Sequence, residues 1–240
     1  GAVGAAARRR DLGESLQRVR PGLRAPLLVR SGDHDVPAWL HEQEQGEHPR
    51  TTSGQLRPAV VWVHGGGYVG GDPAQEHGLC TLIACRTGGL ALSVEYRLRA
   101  EHPHPAALDD CLTVLPLHEH ADGLGVDHAR VAAGGPARTQ DLSGLPDAWI
   151  GGGDLDLFLD EDLAYADRLR EAGGTVDVRI EPGMYHGADY CTWAARMRAF
   201  RECGVDALAL ALEPAGQALQ LLVGRRVLVG EASVGTPGGR

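Results

Sequence analysis

The sequence predicts an α/β protein built on a mostly parallel, doubly wound sheet. Two short runs, 59–63 and 90–94, are apolar on both faces, which is typical of strands buried in a parallel sheet. Between them, Leu79, Leu82 and Ile83 recur at helical spacing. A strand, a helix and a second strand in this order predict a parallel pair joined by a helical crossover. The 240 residues, of which 43% are hydrophobic, are enough for one sizeable domain with its own core.

Composition excludes several classes of partner and cofactor. The formal net charge is −9, so nucleic acid would be repelled on average. No apolar run approaches the ~20 residues that a membrane-spanning helix needs, and the first residues lack the order of a signal peptide. The five cysteines are odd in number and lack C-x-x-C spacing, which favours reduced thiols over a zinc or disulfide framework. We therefore expect a cytoplasmic protein with no metal and no cofactor.

The N-terminal third begins outside the predicted sheet. Residues 1–24 are rich in Ala and Arg and are expected to be a mobile arm or a cap remnant. The segments 25–30 and 36–41 flank a turn-rich stretch and predict a hairpin, and 42–55 is a polar surface loop.

A run of glycines follows the first buried strand. The sequence His64-Gly65-Gly66-Gly67 opens a turn whose backbone N–H groups can approach a ligand closely, because glycine has no side chain. Such groups can point together at one negative oxygen, which is the outline of an oxyanion hole. A flexible glycine turn without function is the alternative.

The segment 95–110 makes the resemblance specific. It contains Tyr-Arg-Leu at 96–98, Glu-His-Pro at 101–103 and Pro-Ala-Ala-Leu-Asp-Asp at 105–110. With His-Gly-Gly-Gly before it, this segment resembles the hormone-sensitive-lipase-like branch of the α/β-hydrolases. The resemblance implies an α/β-hydrolase domain over 25–213. It also implies a carboxylic-ester hydrolase that acts on short-chain or small aromatic esters through an acyl-enzyme, with Gly65, Gly66 and Gly67 as the oxyanion hole.

The same resemblance supplies an acid and a base. Asp156 follows a predicted strand at 148–152 and matches the family's triad acid, and His186 follows a later predicted strand and matches its general base. We expect the two side chains within hydrogen-bond reach, since the acid fixes the imidazole tautomer. Asp154 is the replacement if they are not. The acids at 160–162 suit a helix N-terminus, where negative charge complements the dipole.

The nucleophile of the family is not identifiable. After a predicted strand at 130–133 the family continues Gly-Asp-Ser-Ala-Gly-Gly, whereas this chain continues Gly134-Gly135-Pro136. None of the six serines lies in G-x-S-x-G, and Ser143 belongs to a predicted surface loop. The elbow helix, one strand and most of the cap are therefore expected to be missing. Two hypotheses stay open: an impaired ester hydrolase, or a non-catalytic hydrolase-fold protein that binds small ligands or is truncated.

The predicted architecture has two consequences. The strands 59–63, 90–94, 130–133 and 148–150 are expected side by side and parallel, with only the N-terminal hairpin antiparallel. No helix is left to cover the sheet between the last two, so an exposed apolar patch and self-association are expected. The stretch 214–240 resembles nothing in the family and is expected to be a disordered tail.

Overall fold

The computed structural model describes residues 26–31, 33–42, 57–99, 101–114, 126–133, 141–213, 219–223 and 226–230. The chain divides into two compact units, Gly1–Val126 and Asp127–Arg240, so the single domain expected over 25–213 includes parts of both. The expected N-terminal arm at 1–24 lies outside the described residues. Among the described residues, no helix is both long enough and apolar enough to cross a membrane.

The first unit contains a mixed sheet with helices between its strands. Its elements are β1 (Leu27–Ser31), β2 (His34–His41), β3 (Arg57–Val63), a 3-10 turn (Pro73–Glu76), α1 (His77–Thr87), β4 (Leu90–Val94) and α2 (Ala106–Val114). The strands lie in the order β1-β2-β4-β3. β1 and β2 form the predicted antiparallel hairpin, and β3 pairs with β4 in parallel, as their two-sided apolar character predicts.

The core of the first unit lies on these buried strands. Trp62 of β3 and Leu90 and Leu92 of β4 are essentially inaccessible to solvent, and Ile83 packs from α1. All five residues of β4 are buried. Helix α1 ends at Gly88, whose φ of +63° is the left-handed conformation that stops a helix and favours glycine.

A partly buried ion pair anchors α2. The carboxylate of Asp110 accepts hydrogen bonds from the guanidinium of Arg97, at 2.9–3.1 Å, from the Arg97 backbone N–H at 2.9 Å, and from His34 Nε2 at 2.8 Å. Burial alone would raise the pKa of Asp110, but these donors hold it below its ordinary value. Two residues of the segment that carries the family resemblance thus have a structural role, because they tie α2 to the end of β4.

The second unit contains the rest of the chain. Its elements are β5 (Val126–Ala133), β6 (Asp147–Leu155), α3 (Leu159–Glu171), β7 (Val176–Tyr185), a 3-10 turn (Ala188–Tyr190), α4 (Ala195–Ala211), β8 (Leu219–Val223) and β9 (Arg226–Gly230). Its strands lie in the order β5-β9-β8-β6-β7. β6 pairs in parallel with both β7 and β8, whereas β9 is antiparallel to β5 and β8.

Two expectations are wrong in this unit. The strands predicted at 130–133 and 148–150 are not side by side, because β9 and β8 lie between them in the strand order. Antiparallel pairing is also not confined to the N-terminal hairpin, since β9 runs against both neighbours. The physical reason is that the segment 214–240, for which a disordered tail was expected, holds two short apolar runs that pair as strands.

Aromatic packing fixes the centre of the second unit. Trp149 on β6 and Phe200 on α4 are fully buried, with ring centroids 5.8 Å apart. Gly151 lies directly beneath both rings, and a Cβ there would collide with each of them. The strand therefore needs glycine at this position for α4 to pack on the sheet.

Candidate active site

Strands β6 and β7 carry the candidate acid and base to the same edge of the sheet. The two strands are parallel neighbours, and their register shifts between Gly153 and Leu155. At that shift Gly153 packs so closely against the backbone of Met184 that a Cβ would overlap it. Asp156 and His186 each follow directly after the end of their strand, so the pairing of β6 with β7 brings them together.

Asp156 and His186 are in hydrogen-bonding contact, which confirms the predicted geometry. His186 Nδ1 donates to Asp156 Oδ2 at 3.1 Å and to Oδ1 at 3.2 Å. The carboxylate is almost fully buried, with 1% of its side chain exposed, and the imidazole is 46% exposed. A carboxylate can only accept, so Nδ1 carries the proton of this hydrogen bond. The catalytic role of the two residues stays a prediction.

Local contacts hold both members of the pair. Asp156 Oδ1 also accepts the backbone N–H of Phe158 at 3.0 Å, a turn in which the aspartate bonds its own chain two residues on. The ring of Phe158 then packs edge-on against the imidazole of His186, with centroids 5.1 Å apart. The same turn therefore orients the acid and supports the histidine ring.

Asp154 has a different partner. Its Oδ1 accepts the backbone N–H of Gly183 at 2.6 Å, across the gap between β6 and β7. Gly183 has a φ of +74°, so this contact stabilises a bend that favours glycine. Asp154 supports the strand pair that carries His186, and Asp156 is the acid in contact with the imidazole.

Asp162 is a third acid near the pair, and its burial was not predicted from the sequence. It lies in the first turn of α3 and is only 7% exposed. Burial raises the pKa of its carboxyl to about 7, and the negative charge of Asp156 acts in the same direction. Nearby His186 acts the other way and lowers it.

The glycine loop of the first unit is tightly folded. Gly66 has a φ of +132°, and a Cβ there would overlap the backbone of Gly70. The loop closes through Gly66 O, which accepts the N–H groups of Val69 and Gly70, both at 3.1 Å. Among the described residues, the exposed amides of Gly66 and Gly67 donate no hydrogen bond. They are available to an incoming acceptor.

His64 fixes the start of this loop. Its ring stacks on Tyr96 with centroids 4.2 Å apart, and its Nδ1 donates to the carbonyl of Gly65 at 2.8 Å. The Tyr96 hydroxyl donates to the His64 carbonyl at 2.9 Å. The histidine of the His-Gly-Gly-Gly motif is thus buried and holds the backbone of the loop, while Gly66 and Gly67 are exposed.

Ser143 lies in a surface turn. Its hydroxyl donates to Asp141 Oδ1 at 2.6 Å, and both residues are exposed. This contact caps the turn and does not activate the oxygen, because the carboxylate is two residues away in the same turn. Residues 134–140, where the nucleophile elbow of the resembled family would begin, lie outside the described residues.

The chain belongs to the α/β-hydrolase fold family, in its hormone-sensitive-lipase-like branch. A family model described as alpha/beta hydrolase fold matches it over residues 60–137 and again over 135–189. The two matched segments adjoin at the end of β5.

Several curated proteins similar to this chain are named as ester hydrolases. The chain is 41% identical over 101 residues to "Carboxylic ester hydrolase LipN" of Mycobacterium tuberculosis, a match that takes in 41% of this chain and 27% of LipN. It is 26% identical over 238 residues to "Carboxylesterase NlhH" of the same organism, which takes in 65% of this chain and 74% of NlhH. Matches such as that with LipN thus span about a quarter of the relative's length.

Solved structures agree on the fold. The structure of esterase LipW from Mycobacterium marinum superposes with a TM-score of 0.70, at 24% sequence identity, covering 87% of this chain and 88% of LipW. At that identity the likeness establishes the α/β-hydrolase fold and leaves the activity open.

Proposed function

We propose that the chain is a carboxylic-ester hydrolase by descent, in which Asp156 orients His186 as the general base. The observation that carries the proposal is the contact between a buried carboxylate and a half-exposed imidazole. An imidazole held at Nδ1 presents Nε2 to solvent as a proton acceptor. Gly65, Gly66 and Gly67 are proposed as the donors to the oxyanion, supported by the open amides of the exposed glycines.

The proposed ligands are small apolar esters or acyl compounds. Large apolar side chains flank both members of the pair and are unusually exposed: Leu155 is 64%, Leu157 88% and Tyr185 57% accessible. Leu155 and Tyr185 are partners across β6 and β7. Such side chains support short-chain or small aromatic acyl groups, and they also support the expected self-association, because an apolar patch favours either kind of contact.

A cytoplasmic location accompanies this proposal. In the described part of the chain, which includes all five cysteines, none forms a disulfide, and Cys80 and Cys111 are buried. Thiols persist where glutathione and thioredoxin keep proteins reduced, which supports a cytoplasmic site of action.

The second part of the proposal is that the elbow serine is missing. The family match breaks into two segments at residues 135–137, where the elbow is expected. The alignment with NlhH is 238 positions long, but it includes only 65% of this chain and 74% of NlhH. The remaining positions are gaps in this chain, where NlhH has residues that this chain lacks. Pro136 stands where the resemblance calls for the elbow, and proline has no N–H to offer an oxyanion.

Loss of the serine removes the nucleophile and one oxyanion donor together. In another serine hydrolase, deleting the nucleophile lowers kcat about a million-fold and leaves roughly a thousand-fold acceleration over water. We therefore expect weak ester hydrolysis, with His186 activating a water molecule. The missing serine also favours the second candidate function, a non-catalytic or truncated hydrolase-fold protein that binds small acyl or carboxylate ligands.

The test is hydrolysis of p-nitrophenyl acetate and butyrate by the purified protein and three variants. We expect turnover well below about one per second, reduced further in His186→Ala and Asp156→Asn and unchanged in the exposed control Asp160→Asn. Equal rates in all four proteins, with saturable butyrate binding, would favour the binding protein. Turnover above about one per second that His186→Ala abolishes would refute the missing nucleophile.

A further inference from the structure

Asp162 differs from the other acids in the first turn of α3. Asp160 and Glu161 are exposed, as expected for residues that complement a helix dipole. Asp162 is 7% exposed, and its Oδ2 has no hydrogen-bond partner among the described residues. Burying a carboxyl oxygen without a partner is unfavourable, so a contribution to helix stability alone does not explain it.

The position of Asp162 links it to both members of the pair. Its backbone N–H donates to the carbonyl of Phe158 at 2.9 Å. Phe158 in turn donates its own backbone N–H to Asp156 and packs its ring against His186. Its carboxyl faces β6 at Gly152, where Oδ2 would lie 3.8 Å from an added Cβ. The carboxyl therefore lies against β6, one residue before the glycine at which β6 packs most closely on Met184 of β7.

The charged groups around this carboxyl are few. On the loop before α3 it faces Asp156, which disfavours its ionisation, and on the loop after β7 it faces His186, which favours it. The remaining buried acid of β7, Glu181, is neutralised by ion pairs with Arg179 and Arg196. After burial, the charges that act on the Asp162 carboxyl are therefore those of Asp156 and His186.

We propose that Asp162 is a positioning residue that sets the charge balance of the Asp156–His186 pair. The inference rests on the proposed function for the identity of the base. When the Asp162 carboxyl is protonated, it adds no negative charge beside the imidazole of His186. When Asp162 releases its proton to solvent, a second negative charge lies next to the pair, and the imidazole holds a proton more firmly.

The change in charge of Asp162 occurs near neutral pH. Burial raises the pKa of Asp162 to about 7, with Asp156 adding to the effect. Below that pH the carboxyl is neutral, and its replacement by an amide removes no charge. Above it, the same replacement removes one. The proposal thus requires an effect of the variant that depends on pH.

The first experiment follows the carboxyl carbon of Asp162 by NMR in the full-length protein across a pH series. We expect a midpoint near the value of about 7 given by its surroundings. Asp156→Asn should move it down by about half a pH unit or more, because one negative charge is removed, and the matched control Asp160→Asn should leave it in place. A midpoint below about pH 5 in the wild-type protein would overturn the proposal without any variant.

The second experiment measures how His186 reacts with diethyl pyrocarbonate, which modifies the neutral imidazole. Mass spectrometry of the His186 peptide gives the rate in wild type, Asp162→Asn and the control Asp160→Asn. We expect Asp162→Asn to react about twofold faster than wild type near pH 7.5 and at the same rate near pH 5.5. The same ratio of the Asp162→Asn rate to the wild-type rate at both pH values would mean that the effect does not depend on the charge of Asp162, and it would refute the proposal.

Neither experiment needs ester turnover. If His186→Ala leaves hydrolysis unchanged while Asp162 titrates as expected, the proposed function fails and the coupling of Asp162 to the pair stands. If the ester assay behaves as expected and the two readouts of Asp162 do not, only the present inference fails.

Discussion

Replacing His41 should change how the stability of the first unit depends on pH. The imidazole of His41 is 2% exposed at the end of β2, and neither ring nitrogen has a hydrogen-bond partner among the described residues. The ring of His77 lies 5.3 Å away, centroid to centroid. Burial, and secondarily the charge of His77, lower the pKa of His41 from 6.5 to about 3.

The magnitude follows from proton linkage. The unfolded chain binds a proton at His41 below pH 6.5, whereas the folded chain binds it only below about pH 3. His41 therefore leaves the free energy of unfolding unchanged above pH 6.5 and lowers it by about 1.4 kcal/mol for each pH unit below that value. Near pH 4.5 the loss amounts to about 2.7 kcal/mol. His41→Leu should also raise the free energy of unfolding by about 1–2 kcal/mol at neutral pH, because it removes two buried nitrogens that lack a partner among the described residues.

The assay is urea unfolding of wild type, His41→Leu and the exposed control His104→Leu, each near pH 7.5 and pH 4.5. Acid loss that arises from carboxylates is common to all three proteins and cancels in the comparison. We expect His41→Leu to lose about 2–3 kcal/mol less than wild type between the two pH values, and His104→Leu to match wild type. An equal loss in all three would show that His41 is not buried as a neutral ring.

Two further variant pairs test the packing that supports the site. Asp110→Ala should cost about 2–4 kcal/mol of unfolding free energy, because it removes the buried carboxylate that accepts from both Arg97 and His34, whereas the exposed neighbour Asp109→Ala should cost less than about 1 kcal/mol in the same urea assay. Gly153→Ala should cost about 1–3 kcal/mol or more, because its Cβ meets the backbone of Met184. Gly152→Ala, where the nearest atom lies 3.8 Å away, should be tolerated, and equal costs at the two glycines would contradict the close approach of β6 to β7.

The strands of the first unit could be predicted because their sequence pattern admits few alternatives. The run at 59–63 is apolar on both faces and bounded by proline and glycine, and it forms β3 with a parallel neighbour. The contact of Asp156 with His186 could be predicted from the order of the family's motifs, since each residue follows the end of a strand. In both cases local pattern and family order agree.

The burial of Asp162 could have been found by the same periodicity. Asp162, Tyr165, Ala166 and Leu169 are spaced as one helical stripe, and all four are buried in α3. The burial of Asp162 is hard to recognise because it is one of three consecutive acids at a helix start, where the helix dipole already explains negative charge. Periodicity separates the one inward acid from its two exposed neighbours.

The positions of β8 and β9 were beyond sequence reasoning of this kind. The segments Leu219–Val223 and Arg226–Gly230 are short and apolar enough to be strands. Their place between β5 and β6 depends on pairing between residues far apart in the chain, and no motif of the family covers them. Register and neighbour are tertiary choices that a local pattern does not specify.

The central claim is that a carboxylesterase scaffold with an Asp156–His186 pair lacks its nucleophile. Treatment of the purified protein with a fluorophosphonate, followed by intact-mass and peptide mass spectrometry, tests it directly, because the reagent adds covalently to an activated serine. The account predicts no adduct on any of the six serines. A stoichiometric adduct on one serine, lost in His186→Ala, would contradict it.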